Sequence, residues 1–445
     1  MTTQIFMAST LYGTATLAAA LDSGCFAPAD RRVLLVSNNA TTPETSPAVH
    51  EMPGFGHLRS RFDEVVSWNE AIFPFHPGAW APRPDDIPLF ERYLRLLWNI
   101  GDDDVALAVE SIQVNPALAV TEIFTDAPVT VYADGLMSYG PTRNKLDQLV
   151  GTRVERLLHL DLVPGLTPLL LSEFGVAPEV VPTPAFTKVL AELADTGAGL
   201  PEIEEPALLL GQYLSALNIL SAAEEEALHV RMLNGAVGLG HRRVVFKPHP
   251  SAPARFTRLL EEEAEGLGVE LTVLDSPVLA EVVYQRMRPA VVIGCFSTAL
   301  LTASALYGLP VARVGTETLL DRLTPFENSN RMPVAIVDAL LPEPADAEAV
   351  KSRRPGLADA ELTELVRALG FTMQPRILPE LRPETERYLA ARLDDRTWRY
   401  FKRKRLTSLG LPGGIPAQLG FLPRNATVRR VARTARSLRR RVGRR

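Results

Sequence analysis

Cysteine is nearly missing from this 445-residue sequence, with only Cys25 and Cys295 present. They stand in unrelated contexts without a CxxC spacing or a nearby histidine, so neither a disulfide framework nor a zinc site is expected. A reducing cytoplasm fits that usage. Nor is a secretory leader expected, because Met1 to Asp22 has no basic start and carries Ser, Thr and Gly through its apolar part. The longest uncharged stretch, Pro289 to Ala312, is interrupted by Gly294, Ser297, Thr298, Thr302, Ser304, Gly308 and Pro310. It reads as a strand, a turn, a helix and a second strand, each of globular length, rather than as a membrane span. A Gly-rich dinucleotide fingerprint, a Walker loop and an internal repeat are absent as well.

What is present is an uneven charge distribution. Of the 47 basic residues, 16 lie from Arg396 onward, whereas all 52 acidic residues precede Arg396. An acidic body with a very basic end points to an interaction tail and not to a nucleic-acid surface, so no specific nucleic-acid partner is expected.

The length exceeds what a single core usually spans and suggests two or three domains. Strand and helix signals alternate from the start: a strand over Gln4 to Ala8, a turn from Ser9, a helix over Thr14 to Leu21 and a strand over Arg32 to Ser37. A helix over Leu89 to Trp98 follows, with strands over Val105 to Glu110 and Val129 to Ala133, then helices over Leu146 to Val150 and Pro168 to Phe174 with Thr167 as a cap. The run ADTGAGLPEIEEP, Ala194 to Pro206, carries little core signal and reads as a linker. Beyond it the pattern restarts with a strand from Ala207, a helix over Ser221 to Leu233, a strand over Val244 to Phe246, a helix over Ala254 to Glu265 and a strand over Glu270 to Leu274. A helix over Leu279 to Arg286 and a strand over Ala290 to Ile293 complete it. The expected organisation is an α/β protein with two Rossmann-like halves, residues 1–193 and 207–356, joined by the linker 194–206. A helical crossover region, 357–405, and a basic tail, 406–445, would follow, with helices over Asp359 to Ala368 and Glu384 to Arg405.

The chemically most telling string is Lys247-Pro248-His249-Pro250, directly behind the apolar run Val244-Val245-Phe246. Each X-Pro step pushes the preceding residue toward extended geometry, so the imidazole is held on a stiff strand exit. From spacing alone, a proline-rich exit with an incidental histidine explains the string equally well. Ile293-Gly294-Cys295-Phe296-Ser297-Thr298 leads from a strand into a helix, placing two hydroxyls at a helix N-terminus that favours an anion. A plain helix cap needs only one of them and is the simpler reading by itself. With His249 on a nearby strand exit, a phosphate site becomes the better one. In the first half, Val131-Tyr132-Ala133-Asp134-Gly135 brings a carboxylate to a strand exit, where it could accept a hydroxyl proton or merely form an Asp-Gly turn. Asp102-Asp103-Asp104 precedes a strand and reads as a turn. His76-Pro77 reads as a loop, Glu224-Glu225-Glu226 as a solvated first helical turn, and His159 as a structural histidine.

In Asp134-Gly135, His249-Pro250 and Ser297-Thr298, in that order, the chain resembles the bacterial sialyltransferases, above all the alpha-2,8-polysialyltransferase family, over about residues 4 to 335. The family pattern has two acidic residues before the glycine, and here Ala133 fills the first position. The resemblance implies a GT-B fold, with CMP-sialic acid or a related CMP-nonulosonate as donor substrate against the second half. It implies a glycan or lipid-linked glycan acceptor against the first half, Asp134 as general base, and His249 as acid to the leaving phosphate. Ser297 and Thr298 would hold that phosphate, Lys247, Pro248 and Pro250 would border the nucleotide, and Glu281 would meet the ribose. Ser9, Thr10, Gly135, Arg143 and Asn144 are the expected acceptor contacts. The reaction would invert the anomeric centre and could extend a polysialic-type polymer of a capsule or cell surface. No cofactor or metal is expected, since one imidazole and a helix terminus can hold a monophosphate leaving group. Two alternatives stay open: a UDP-sugar-dependent GT-B transferase or epimerase, and a non-catalytic nucleotide- or glycan-binding protein.

In the tail, Val428, Val431, Ala435, Leu438 and Val442 recur at helical spacing among arginines. A basic amphipathic helix of this kind suits an anionic membrane surface, and places the protein peripherally at the inner face of the plasma membrane. A disordered cationic tail is the alternative.

Overall fold

The computed structural model describes residues 1–133, 135–195, 199–249, 252, 255–274, 276–353, 356–357 and 359–415. Asp134, Pro250 and the tail stripe from Val428 to Val442 lie outside the described residues. Two compact units result, Met1–Thr385 and the segment from Glu386 onward, and both sheets belong to the first.

The first sheet has seven strands: β1 (Thr2–Ala8), β2 (Arg31–Val36), β3 (Glu64–Ser67), β4 (Asp104–Glu110), β5 (Val129–Ala133), β6 (Val154–Leu160) and β7 (Pro178–Val181). They are ordered β3-β2-β1-β4-β5-β6-β7 and every pairing is parallel. The second has five parallel strands, β8 (Ala207–Leu210), β9 (Arg243–Lys247), β10 (Glu270–Val273), β11 (Val291–Gly294) and β12 (Val311–Arg313), ordered β10-β9-β8-β11-β12. Strands covered on both faces need apolar residues at consecutive positions, and the chain supplies them in Ile5-Phe6-Met7-Ala8, Val33 to Val36, Ala207 to Leu210 and Val291-Val292-Ile293, all buried. Two parallel α/β halves of this kind, with a cavity at their strand ends, form the expected GT-B architecture.

Several helices start at a polar side-chain cap. Thr10 accepts the Gly13 N–H at 2.9 Å to open helix Leu11–Asp22, and Ser221 with Glu224 forms a capping box on helix Ala222–Gly238. No described helix is long and apolar enough to cross a membrane.

Three expectations need correction. Pro168 to Phe174 is not a helix: only the 3-10 turn Ser172–Phe174 forms, and Leu171 is left-handed at φ 61°. Leu169, Leu170 and Leu171 are all buried, and the N–H groups of Leu170 and Leu171 are met by the Ser138 carbonyl and the Thr142 hydroxyl, so tertiary bonds replace helical ones. Glu384 to Arg405 is not continuous but divides into helices Arg382–Arg392 and Arg403–Leu409 around a turn in which the Asp394 carboxylate accepts the Arg396 and Thr397 N–H groups. Glu225 is not solvated. It is fully buried and accepts the N–H groups of Leu214 (2.7 Å) and Ser215 (2.9 Å), donors that the loop after β8 leaves without backbone partners. The remaining readings of these motifs agree: Asp102 and Asp103 form the turn before β4, His76 sits in a loop against the Ala40 carbonyl, and His159 is buried with Nδ1 3.2 Å from the Leu160 carbonyl.

Candidate active site

Strand order determines where a ligand can enter. In the first sheet the chain leaves β1 to one side for β2 and later returns on the other for β4; in the second, β9 and β11 flank β8 in the same way. At such switch points the loops diverge beyond the strands' carboxyl ends and leave a crevice. A cavity of about 700 Å³ occupies that position for both sheets at once. Its first wall carries Thr10, Tyr12, Glu110, Tyr132, Ala133 and Gly135, and the facing wall carries Gln212, His249, Leu279, Phe296, Ser297 and Thr298.

The second-half wall is built for an anion. Ser297 has extended backbone geometry and caps helix Thr298–Ala305, its hydroxyl accepting the Ala299 N–H at 3.2 Å. Gln212 steadies the turn before it by accepting the Phe296 N–H at 2.9 Å. The His249 loop is seated by Gly211, where a side-chain methyl would come 3.1 Å from the Pro248 Cα and 3.0 Å from the Phe246 ring. Only glycine lets the two strand exits approach so closely. His249 stands exposed at the cavity edge, its ring 6.4 Å from that of Tyr213. Burial of its inner edge and the nearby Lys247 charge lower its pKa, against an opposing pull from Glu225. The free imidazole is therefore biased toward neutrality, and a bound anion would reverse that bias.

Lys247 is half-buried, and desolvation lowers its pKa while Glu281 pulls the other way. Glu281 is itself buried, accepts the Thr302 hydroxyl at 2.6 Å and has a raised pKa through desolvation. Neither side chain lines the cavity, nor do Pro248 and Asn144, the latter exposed on the loop after Arg143.

On the first-half wall, Thr10, Gly135 and Arg143 reach the cavity, and Ser9 stands one step behind it. At Gly135 the two walls approach closely, because a methyl built on it would lie 3.0 Å from the Thr298 hydroxyl. Ser138 holds its loop by donating to the Gly135 carbonyl at 2.9 Å. Arg143 donates from Nη1 to the Ser329 hydroxyl at 3.1 Å, and Gln374 donates to the Arg143 carbonyl at 2.8 Å, so the loop is fastened to segments that follow the second sheet. The structure thus gathers His249, Ser297, Thr298, Gly135, Thr10 and Arg143 around one space.

Sequence reading did not single out Glu110, Tyr132, Gln212 or Gln374 as site residues. Glu110 had a signal, since it ends a strand as Asp134 follows one. Register places it beside Tyr132, whose hydroxyl lies 3.0 Å from Glu110 Oε2 and 2.9 Å from the Met7 carbonyl. The Ser9 hydroxyl bonds Glu110 Oε1. Desolvation raises the Glu110 pKa above the usual carboxylate range, and these hydroxyls only partly offset it. One wall can hold an anion and the other offers hydroxyl and carboxyl groups, a division suited to group transfer from an anionic leaving group to a hydroxyl.

Comparison with known proteins agrees on family. The alpha-2,8-polysialyltransferase family model matches residues 4–316. Among solved structures, similar folds include the GT-B domain of a sialyltransferase from Photobacterium damselae, at 11% identity and TM-score 0.38, covering 76% of this chain and 96% of that one. Others are MurG from Acinetobacter baumannii (12% identity, TM-score 0.40, 87% and 95% covered) and UDP-GlcNAc 2-epimerase from Methanocaldococcus jannaschii (12%, 0.43, 81% and 94%). No curated protein matches the sequence significantly.

Proposed function

The chain belongs to the alpha-2,8-polysialyltransferase family and is a sialyltransferase-like glycosyltransferase, and from that premise we propose that it moves a sialic acid or related nonulosonic acid from a CMP donor to a glycan hydroxyl with inversion. The observation that supports this reading most is the convergence of His249, Ser297 and Thr298 on one wall of the cavity, with the loop at Gly135 opposite. Loss of CMP from a tertiary anomeric carbon spreads positive charge over the sugar ring while charge builds on phosphate. The helix N-terminus and two hydroxyls offset the phosphate charge, and His249 gives it a proton. Such positioned proton transfer contributes about 10² to 10⁴ in rate.

The family resemblance supplies Asp134 as the carboxylate that takes the acceptor's proton. Lys247, Pro248 and Glu281 serve the nucleotide in this reading from behind the wall, the resemblance alone adds Pro250 to them, and Ser9, Thr10, Arg143 and Asn144 serve the acceptor. The halves 1–193 and 207–356 divide acceptor from donor. No metal takes part, and the basic tail holds the protein at an anionic membrane surface, where a lipid-linked or growing polysaccharide is available.

Calorimetry with CMP and UDP, followed by product analysis with CMP-sialic acid and a panel of acceptors, tests the proposal. Binding of CMP in preference to UDP, and transfer that falls by at least tenfold in His249→Ala, are the expected results. Tight UDP binding without CMP binding would move the protein to UDP-sugar chemistry; CMP binding without turnover would make it a binding protein.

A further inference from the structure

Glu110 is half-buried and differs from the fully buried Glu225 in the company it keeps. Glu225 accepts two backbone N–H groups, which can only donate, so its role is that of a structural acceptor. Glu110 lies at the end of β4, at the first sheet's switch point, and lines the cavity. Among the described residues it forms no ion pair. Its two partners, Ser9 and Tyr132, are hydroxyls, and a hydroxyl can either donate or accept.

Tyr132 shows why this matters. Its one proton is shared between at least two oxygen neighbours among the described residues, the Met7 carbonyl at 2.9 Å and Glu110 Oε2 at 3.0 Å. The carbonyl can only accept. When the proton points to Met7, the phenol oxygen is ready to accept from a protonated Glu110; when it turns, it donates to an ionised one. The surroundings therefore satisfy both protonation states of Glu110 without moving a heavy atom. A methyl at Gly13 would lie 3.0 Å from Glu110 Oε2 and 3.1 Å from the Tyr132 hydroxyl, so the glycine leaves room around this pair. On the neighbouring strand the cavity-lining residues are Tyr132 and Ala133, neither of which offers a carboxyl.

We infer that Glu110 takes the proton of the attacking acceptor hydroxyl, the role that the family resemblance alone gives to Asp134. This rests on the proposed transfer reaction. The acceptor oxygen forms its bond to the donor's anomeric carbon as the bond from that carbon to the phosphate oxygen breaks, leaving the electron pair on CMP. The hydroxyl proton passes to the Glu110 carboxylate, which returns it to solvent after the product leaves. A carboxyl whose pKa lies above the ordinary range is a stronger base for this task, provided it is ionised at the working pH.

The test compares wild-type, Glu110→Gln, Asp134→Asn and Ser9→Ala proteins in acceptor-dependent transfer, with CMP calorimetry on each. Glu110→Gln is expected to lower kcat by at least about 10²-fold with CMP affinity unchanged, and by more than Asp134→Asn does. Turnover within threefold of wild type, or a larger loss in Asp134→Asn, would overturn the assignment. Ser9→Ala decides the matter should Glu110→Gln not fold. Among the described residues, the titratable groups lining the cavity on the elements around Glu110 are Tyr132 on β5 and Tyr12 on helix Leu11–Asp22, with His249 on the facing wall governing the alkaline side. The Ser9 hydroxyl lowers the Glu110 pKa, so its loss should move the acid limb of kcat/KM to higher pH and leave the alkaline limb in place. An acid limb that stays put would refute the inference. Wild-type protein that neither binds CMP nor transfers would instead refute the proposed reaction itself.

Discussion

Replacing Gly135 by alanine isolates the contact between the two walls of the cavity. Its backbone is extended, at φ −142° and ψ −178°, a conformation any residue adopts, so the substitution brings no backbone strain. By narrowing the unfolded ensemble it should stabilise the fold by about 0.4–1 kcal/mol where the space allows. The added methyl, however, would lie 3.0 Å from the Thr298 hydroxyl, a few tenths of an ångström inside ordinary contact. Either that hydroxyl rotates away from the phosphate position or the walls part. Displacements on the order of 1 Å can cost about 10² in rate, and a smaller one should cost roughly tenfold. Gly135→Ala is thus expected to keep or raise Tm while lowering kcat/KM roughly tenfold. Thr298→Ala removes the opposing oxygen, so the alanine at 135 should cost little further activity in that background. Melting curves and transfer rates for the four proteins of this double-mutant cycle measure the coupling. Wild-type kcat/KM in Gly135→Ala, or an equal loss in both backgrounds, would show that the two residues are not in contact in the working enzyme.

The pKa of His249 is lowered by burial and then by Lys247. If its protonated form is the acid, kcat/KM must fall as pH rises through that pKa, and Lys247→Met should move the fall to higher pH; a pH–rate profile reads this directly. His229 is 2% exposed, its ring 5.0 Å from Phe246, and both its nitrogens are buried without hydrogen-bond partners among the described residues. Burial lowers its pKa to about 4. The unfolded chain binds this proton first, so stability is lost as pH falls from about 6.5 to about 4, by an amount on the order of 3 kcal/mol, and is level below. His229→Leu should flatten that slope and raise stability at neutral pH by roughly 1–3 kcal/mol, as denaturant titrations at several pH values would show. Arg331 is fully buried and donates to the carbonyls of Phe326 (2.9 Å), Leu320 (3.2 Å) and Leu323 (2.8 Å). Arg331→Met leaves these acceptors unpaired and should cost on the order of 3 kcal/mol or more by the same measurement.

Local chemistry made much of the molecule readable in advance. Apolar runs such as Val244-Val245-Phe246 and Val291-Val292-Ile293 could hardly be anything but covered parallel strands, and they form β9 and β11. The Ser297-Thr298 cap was equally local, since a helix N-terminus needs an acceptor side chain within three residues. Weaker segments escaped: β3 and β7 are short and mix charged or proline residues with valine, and Pro168 to Phe174 had a helix-like composition that tertiary hydrogen bonds overrode.

Strand exits, caps and family membership were legible in the order of residues, because those depend on neighbours within a few positions. Which exits meet was decided by folding. Strand order is set by long-range pairing, so nothing near Glu110 announced that β4 would lie beside β1 and β5 and bring Ser9 and Tyr132 to its carboxyl. The same holds for Gly135 facing Thr298 and for Glu225 beneath the loop at Leu214: each contact spans residues far apart in the chain, and burial and proton affinity follow from the partners that folding supplies.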